Sequence, residues 1–317
     1  MDTPISNKSP AKFPSVIGFG EALVDVIVHN SGHSAVIPGG SVLNSIVSLA
    51  RSGINTALIT ELGKDGPGSY ISEFLQQEAV STEFIQWLQN GKTALAFAKL
   101  DDRRNAAYSF YKQYPETRVF DHLPEMNSNQ VFLFGSFYAL QKELGFILNQ
   151  LTDIAASSGA LIFYDPNIRS HNIHFEEYTM PKVLNYCKKA HIVRGSDEDF
   201  INLFGTDKVT EIYQAIQPSA CKLLVVTRAE NSVSAFDGAS EIVFDVPKIS
   251  VVSTVGAGDA MNAGMIKFWI VNNYKINDAG FSSAFPHQVI SGMIKSGLEY
   301  ALSVCGSNEN YISRSNH

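Results

Sequence analysis

The residues best suited to chemistry lie near the end of the chain, where small residues precede a carboxylate. Gly256, Ala257 and Gly258 are followed directly by Asp259, and the apolar spacing of residues 260–270 predicts a helix beginning there. Glycines let backbone N–H groups converge, and a helix N-terminus favours an anion. Asp259 could then accept the proton of a hydroxyl that attacks a bound phosphoryl group. A simple N-cap and tight turn would use the same residues.

A second polar group lies early in the chain, at the start of another predicted helix. Gly39 and Gly40 precede apolar residues with helical spacing over residues 42–51. Paired glycines allow a ligand to approach the backbone, and Asn44 offers both a donor and an acceptor to a polyol. Taken alone, the segment also fits an ordinary loop followed by a helix with a surface asparagine.

Composition limits the classes of protein that can carry these groups. The chain has 317 residues, 45% of them hydrophobic, which suffices for one large α/β domain over residues 1–317 or a domain with a small appendage. A net charge of −7 argues against a general nucleic-acid partner. The first apolar run contains Glu21 and Asp25 and no other run approaches spanning length, which predicts no membrane partner and a cytoplasmic location.

Short apolar runs alternate with helical patterns through the second half of the chain. This alternation predicts a doubly wound, largely parallel sheet, whose active site lies beyond the carboxyl ends of the strands. Polar clusters follow three of the runs, at residues 165–169, 194–199 and 227–228. In two runs, at residues 93–100 and 106–111, apolar and polar residues alternate, which does not fit the alternation of strands and helices. These runs predict a hairpin in a small β lid over the site.

Together these segments resemble the ribokinase, or PfkB-type, family of carbohydrate kinases, from about Val16 to about Val304. Residues 18–25 look like the opening strand of the fructokinase branch, and residues 39–44 match the first family signature. Residues 254–264 match the second signature, in the family's order. The resemblance implies a ribokinase-like fold with β-lid elements at about 21–38 and 92–112, a lid that allows a homodimer, and ATP with Mg²⁺ as phosphoryl donor.

The resemblance also implies roles for individual residues. It makes Asp259 the catalytic base, with Gly256, Ala257 and Gly258 as the anion hole. It assigns the sugar to Asp25, Gly39, Gly40, Asn44 and Arg169, and the nucleotide to Ser196, Thr227, Thr254 and Gly258.

Departures from the family pattern cluster on the nucleotide and cation side. The family's Asn-x-x-Glu is represented by Ser196 to Asp199, so we expect Asp199 to reach a metal ion only through a water molecule. Ser253 stands where many relatives carry an aspartate of a K⁺ site, which makes K⁺ dependence doubtful.

Several alternatives stay open on the sequence alone. A fructose-like sugar is favoured as substrate, but ribose, a keto-deoxy sugar acid or a nucleoside would fit, as would a weakly active sugar-binding relative. A dinucleotide-dependent oxidoreductase is disfavoured, because a Rossmann fingerprint opens a domain rather than lying near the end of the chain. The sequence contains no Walker A motif, which argues against a P-loop kinase.

Overall fold

A computed structural model describes residues 13–28, 34–100, 106–168, 179–281 and 284–314. The strands are β1 (Val16–Phe19), β2 (Leu23–Val28), β3 (Ser34–Gly39), β4 (Thr56–Gly63), β5 (Val80–Ser81), β6 (Ile85–Leu88), β7 (Lys92–Leu100), β8 (Ala106–Gln113), β9 (Val131–Gly135), β10 (Leu161–Asp165), β11 (Ile192–Ser196), β12 (Leu223–Arg228), β13 (Ser232–Phe236) and β14 (Glu241–Asp245). The helices are α1 (Ser41–Arg51), α2 (Gly66–Gln77), α3 (Ser136–Ala139), α4 (Gly145–Ser158), α5 (Thr179–Lys189), α6 (Asp197–Phe204), α7 (Val209–Ala215), α8 (Ala257–Val271) and α9 (His287–Cys305).

The central sheet has the order β14-β13-β12-β11-β10-β9-β1-β4-β5, with β6 also paired to β4. Strands from β12 through β5 pair in parallel, while β13 and β14 continue the sheet as antiparallel strands. Strands β4, β9 and β10 are buried along their whole length, as expected for parallel strands covered on both faces. The predicted doubly wound, largely parallel α/β fold is confirmed.

Helices cover both faces of this sheet, because its strands present apolar side chains on either side. One core packs α1, α8 and α9 against residues such as Leu58 and Leu133. The other packs α4 to α7 against residues such as Phe134 and Ile162. The carboxyl ends of the parallel strands are left at one edge, where the candidate site lies.

A second sheet, with the order β3-β2-β7-β8, contains four strands at positions close to those expected of the lid. Strands β7 and β8 are antiparallel, as the alternating runs predict, while their connection at residues 101–105 lies outside the described residues. The first apolar run is divided between two sheets, because β1 belongs to the central sheet and β2 to the second. Between them the Ala22 N–H donates to Thr60 Oγ1 at 3.1 Å, outside either ladder.

Helix α2 begins at Gly66, within a segment rich in glycine and proline. The reason is local, since the Asp65 side chain accepts from the Gly68 N–H at 2.9 Å and caps the helix. Pro67 is tolerated in the first turn, where its missing N–H has no helical partner to lose. Within the described ranges, no helix is both long and apolar enough to cross a membrane.

Candidate active site

A cavity of about 360 Å³ lies between the carboxyl edge of the central sheet and the second sheet. Residues distant in the sequence meet on its wall, and five of the predicted site residues are among them. These are Asp25, Gly40, Asn44, Gly256 and Asp259.

Asp259 lies in the first turn of α8, and only 7% of its surface is exposed. Ser41 Oγ donates to its Oδ1 at 2.6 Å, and Asn44 Nδ2 donates to its Oδ2 at 2.8 Å. Asn167 Nδ2 in turn donates to Ser41 Oγ at 2.7 Å. The carboxylate is therefore held in one orientation at the cavity wall by donors from α1. Ser41 and Asn167 also belong to the site, although the sequence analysis assigned them no role.

The glycine-rich run forms the predicted N-terminus of α8. Gly256 is the N-cap with φ of 80°, and the first helical hydrogen bond runs from the Ala260 N–H to the Gly256 carbonyl at 2.8 Å. The N–H of Gly258 precedes that bond and so has no carbonyl partner within its helix. Ala257 and Gly258 are half-buried and Thr254 is exposed, which leaves the helix start accessible to an anion.

Asp25 lies in the middle of β2, on the second sheet, with its carboxylate against the backbone of β3. A Cβ added at Gly39 would lie 2.1 Å from Asp25 Oδ2, so the position leaves no room for a side chain. Glu21, a few residues earlier, pairs with Lys112 at 2.7 Å and accepts from the Tyr114 hydroxyl at 2.7 Å. Glu21, Asp25 and Lys112 thus bring two acids and an ammonium group to the cavity wall, and Tyr114 supports Glu21.

A buried ion pair supports this end of the cavity from behind. The guanidinium of Arg118 pairs with Glu61, both are almost fully buried, and the Tyr138 hydroxyl donates to the same carboxylate. Burial alone would lower the pKa of Arg118, but its hydrogen bonds to Glu61 raise it. Sequence reasoning missed this group, because nothing local connects residue 61 with residue 118.

Arg194, in the middle of β11, occupies the space behind the loop formed by Gly256, Ala257 and Gly258. Its Nη1 pairs with Asp165 Oδ2 at 3.0 Å, and its Nη2 donates to Thr227 Oγ1 at 2.9 Å. A Cβ added at Gly258 would lie 2.7 Å from Arg194 Nη1, so the guanidinium packs directly against the loop. Asn262 Nδ2 completes the cluster by donating to Asp165 Oδ2 at 2.6 Å. The only sequence signal for Arg194 is its place in a polar cluster after a strand.

Ser196 and Asp199, expected on the nucleotide side, form a capping box at the start of α6. Asp199 Oδ2 accepts from both the backbone N–H and the hydroxyl of Ser196 at 2.7 Å, and its Oδ1 accepts from the Ile168 N–H at 2.6 Å. Burial raises the pKa of Asp199, and the charge of Asp165 adds to the effect. The carboxylate is engaged as a helix cap, and its predicted metal contact through water stays a prediction.

The remaining predicted residues divide between the described part of the chain and the rest. Thr227 is buried at the end of β12, where its hydroxyl contacts Arg194. Arg169, expected at the edge of the sugar site, lies outside the described residues.

Comparison with known protein families agrees with this geometry. A family model described as "pfkB family carbohydrate kinase" matches residues 15–283, which is most of the chain. The chain therefore belongs to the pfkB family of carbohydrate kinases, a class of sugar phosphotransferases.

Named relatives are moderately similar in sequence. "Probable fructokinase-4" of Arabidopsis thaliana is 29% identical over 264 residues, spanning 79% of this chain and 81% of its own. "Fructokinase" of Rhizobium leguminosarum bv. trifolii is 29% identical over 255 residues, spanning 78% of this chain and 77% of its own.

Solved structures share the fold across nearly the whole chain. Fructokinase with bound ATP from Xylella fastidiosa superposes with a TM-score of 0.81 at 20% identity, covering 95% of this chain and 96% of its own. Aminoimidazole riboside kinase from Salmonella enterica, solved with aminoimidazole riboside and an ATP analog, gives a TM-score of 0.79 at 18% identity, covering 92% and 94%.

Proposed function

We propose that this carbohydrate kinase transfers the γ-phosphoryl group of ATP to a hydroxyl of a fructose-like ketohexose. The observation that carries the proposal is Asp259, a carboxylate fixed at 2.6 Å and 2.8 Å by Ser41 and Asn44 on the wall of a cavity of about 360 Å³. Asp259 itself lies in the first turn of α8, and the start of that helix is an anion site by its geometry. A base and an anion site that share one cavity are the elements that phosphoryl transfer to an alcohol requires.

In the proposed reaction the Asp259 carboxylate accepts the proton of the sugar hydroxyl. The freed oxygen forms a bond to the γ-phosphorus while the bond to the bridging oxygen of ADP breaks. Backbone N–H groups at the start of α8 stabilise the charge on the transferring group. Asp25, which lines the same cavity, would orient the sugar through its other hydroxyls.

A divalent metal ion is expected with ATP, and Mg²⁺ commonly binds to one or two carboxylates plus substrate phosphates. Within the described ranges, no group of three or more His, Cys, Asp or Glu side chains could hold a metal ion. Asp199 is occupied by its capping box and Ile168, so it does not fit as a direct ligand. We therefore assign the ion to the nucleotide phosphates and derive no step through a protein-bound metal.

The names of relatives support fructose over the other substrates left open by the sequence. The Arabidopsis and Rhizobium relatives are named fructokinases, whereas the Salmonella structure binds a riboside. The cavity wall carries Glu21, Asp25 and Asn44, which can together accept and donate hydrogen bonds to a polyol. A cytoplasmic location and a homodimer formed through the second sheet remain predictions of the sequence.

A substrate panel tests the proposal directly. ADP release is measured with ATP, Mg²⁺ and each of fructose, ribose, a keto-deoxy sugar acid and a nucleoside. We expect fructose to give the highest kcat/KM, because a site built to hydrogen-bond hydroxyls rejects a ligand that leaves its polar groups unpaired. Asp25→Ala should remove most of that activity, because a sugar hydroxyl then loses its hydrogen-bond partner. Preferred turnover of the nucleoside would reject the ketohexose assignment. If none of the four compounds caused ADP release, the proposed function would be rejected.

A further inference from the structure

The chain after α9 returns to the active site instead of ending at the far side of the fold. We define residues 306–314 as the C-terminal strap. The strap lies outside residues 15–283, the part of the chain that the family model matches.

Arg51, the last residue of α1, fastens the strap to the body of the protein. Its Nη1 donates to the Ile312 carbonyl at 2.8 Å, and its guanidinium stands 4.4 Å from the ring centroid of Tyr311. It also pairs with Glu309 on the strap and with Glu78 at the end of α2, the latter at 2.8 Å. A guanidinium can make these contacts together because its donors are planar and fixed in direction.

Two further contacts fix the strap against α1 and α2. Tyr311 is 6% exposed, belongs to the core, and packs its ring 5.6 Å from that of Phe74. The Ile312 N–H donates to Ser48 Oγ at 3.3 Å. The buried ring of Tyr311 and the hydrogen bond from Ile312 to α1 hold the residue before Tyr311 in a defined place.

That residue is Asn310, which is 7% exposed and lines the same cavity as Asp25 and Asp259. Its carbonyl oxygen lies against the start of α8, where a Cβ added at Gly256 would approach to 2.1 Å. In the described part of the chain, no hydrogen bond reaches its side-chain amide. Neither polar atom of that amide is among the fully buried atoms that lack a partner, so the amide is accessible from the cavity, and a ligand there can exchange hydrogen bonds with it.

We propose that Asn310 is a specificity-determining residue whose amide hydrogen-bonds a hydroxyl of the sugar, and that Arg51 is the positioning residue that holds it there. The inference rests on the proposed function, because it requires a polyol in this cavity. A carboxamide can both donate and accept, so it suits a hydroxyl better than a carboxylate or an ammonium group would.

The test compares Asn310→Ala with Asn308→Ala, a matched control that removes the same amide from an exposed position of the strap. It uses the full chain and whichever sugar the panel shows to be turned over. We expect Asn310→Ala to raise the sugar KM by about tenfold, the loss of roughly one hydrogen bond, while the KM for ATP and the Tm stay near wild type. Asn308→Ala should change none of these quantities.

A double-mutant cycle tests the role of Arg51. If Arg51→Met acts through Asn310, it raises the sugar KM in the wild-type background but adds little to Asn310→Ala. Full additivity would overturn the positioning role. An unchanged sugar KM in Asn310→Ala, with turnover intact, would overturn the assignment of Asn310 while leaving the kinase function standing. Absence of turnover with every sugar would instead reject the proposed function itself.

Discussion

The side chains expected to hold the sugar differ from those expected to hold the nucleotide in what they contact. On the sugar side, Asp25, Asn44 and Asp259 line a cavity of about 360 Å³. On the nucleotide side, Arg194 and Thr227 bind each other, and the neighbouring Ser196 and Asp199 close a capping box. The two groups thus differ: the sugar-side residues line a cavity, whereas the nucleotide-side side chains bond mainly to one another, with Arg194 Nε buried without a partner.

The difference indicates how each side can act. Side chains that face a cavity can bind and deprotonate a substrate directly. Side chains bonded to one another contribute by fixing the backbone, as Arg194 does where it packs against Gly258. The nucleotide side should therefore work through the loop and helix start that it supports, and changes there should affect folding as well as turnover.

The largest expected effect is that of Asp259→Asn. Asparagine keeps the shape but cannot accept the proton, so kcat should fall on the order of 10²–10⁴ while ATP binding is largely retained. Single-turnover kinetics and nucleotide titration measure the two quantities. Asp245→Asn, the same change at an exposed position at the end of β14, is the control. Near-normal turnover of Asp259→Asn would remove Asp259 from the role of base.

An intermediate effect is expected of Arg194→Met, which leaves Asp165 without its buried cation. Removing one partner of a buried ion pair should lower the free energy of unfolding by about 3–5 kcal/mol. Denaturant titration measures the loss, and the double variant with Asp165→Asn should recover part of it, since residue 165 then carries no buried charge without a partner. If Arg194→Met lowers kcat with no loss of stability, the guanidinium acts on the substrate and the contrast between the two sides fails.

The smallest expected effect concerns K⁺. Ser253 Oγ accepts from the Val255 N–H at 3.2 Å, a local turn contact, and the position carries no formal charge for a cation. KCl titrated against choline chloride should therefore raise turnover only weakly. Ser253→Asp, which restores the carboxylate of relatives, should increase the response. A large, saturable, K⁺-specific rise in the unaltered protein would contradict this prediction.

Much of the fold could be predicted because its signals are local. The strand runs, the antiparallel β7 and β8, and the start of α8 follow from periodicity and glycine placement. The split between β1 and β2 could not, because both halves are apolar and only tertiary pairing separates them.

The candidate site was predicted to a smaller extent, for the same physical reason. Asp259, Asn44 and Asp25 lie within motifs, and the fold brings them to one cavity. Arg194 and Asn310 lie outside the parts of those motifs that carry chemistry. Their importance depends on packing against Gly258 and Gly256, which no local pattern records.

The aromatic surroundings of α8 have a spectroscopic consequence. Trp269 is 2% exposed and packs 5.3–5.6 Å from the rings of Tyr274, Phe281 and Phe285, on the helix whose first turn carries Asp259. Ten residues of helix separate the two, or about 15 Å. The chain has two tryptophans, and the other, Trp87, belongs to the edge strand β6. In a Trp87→Phe background the intrinsic tryptophan emission would come from one indole, fixed to the same helix as the carboxylate proposed as the base.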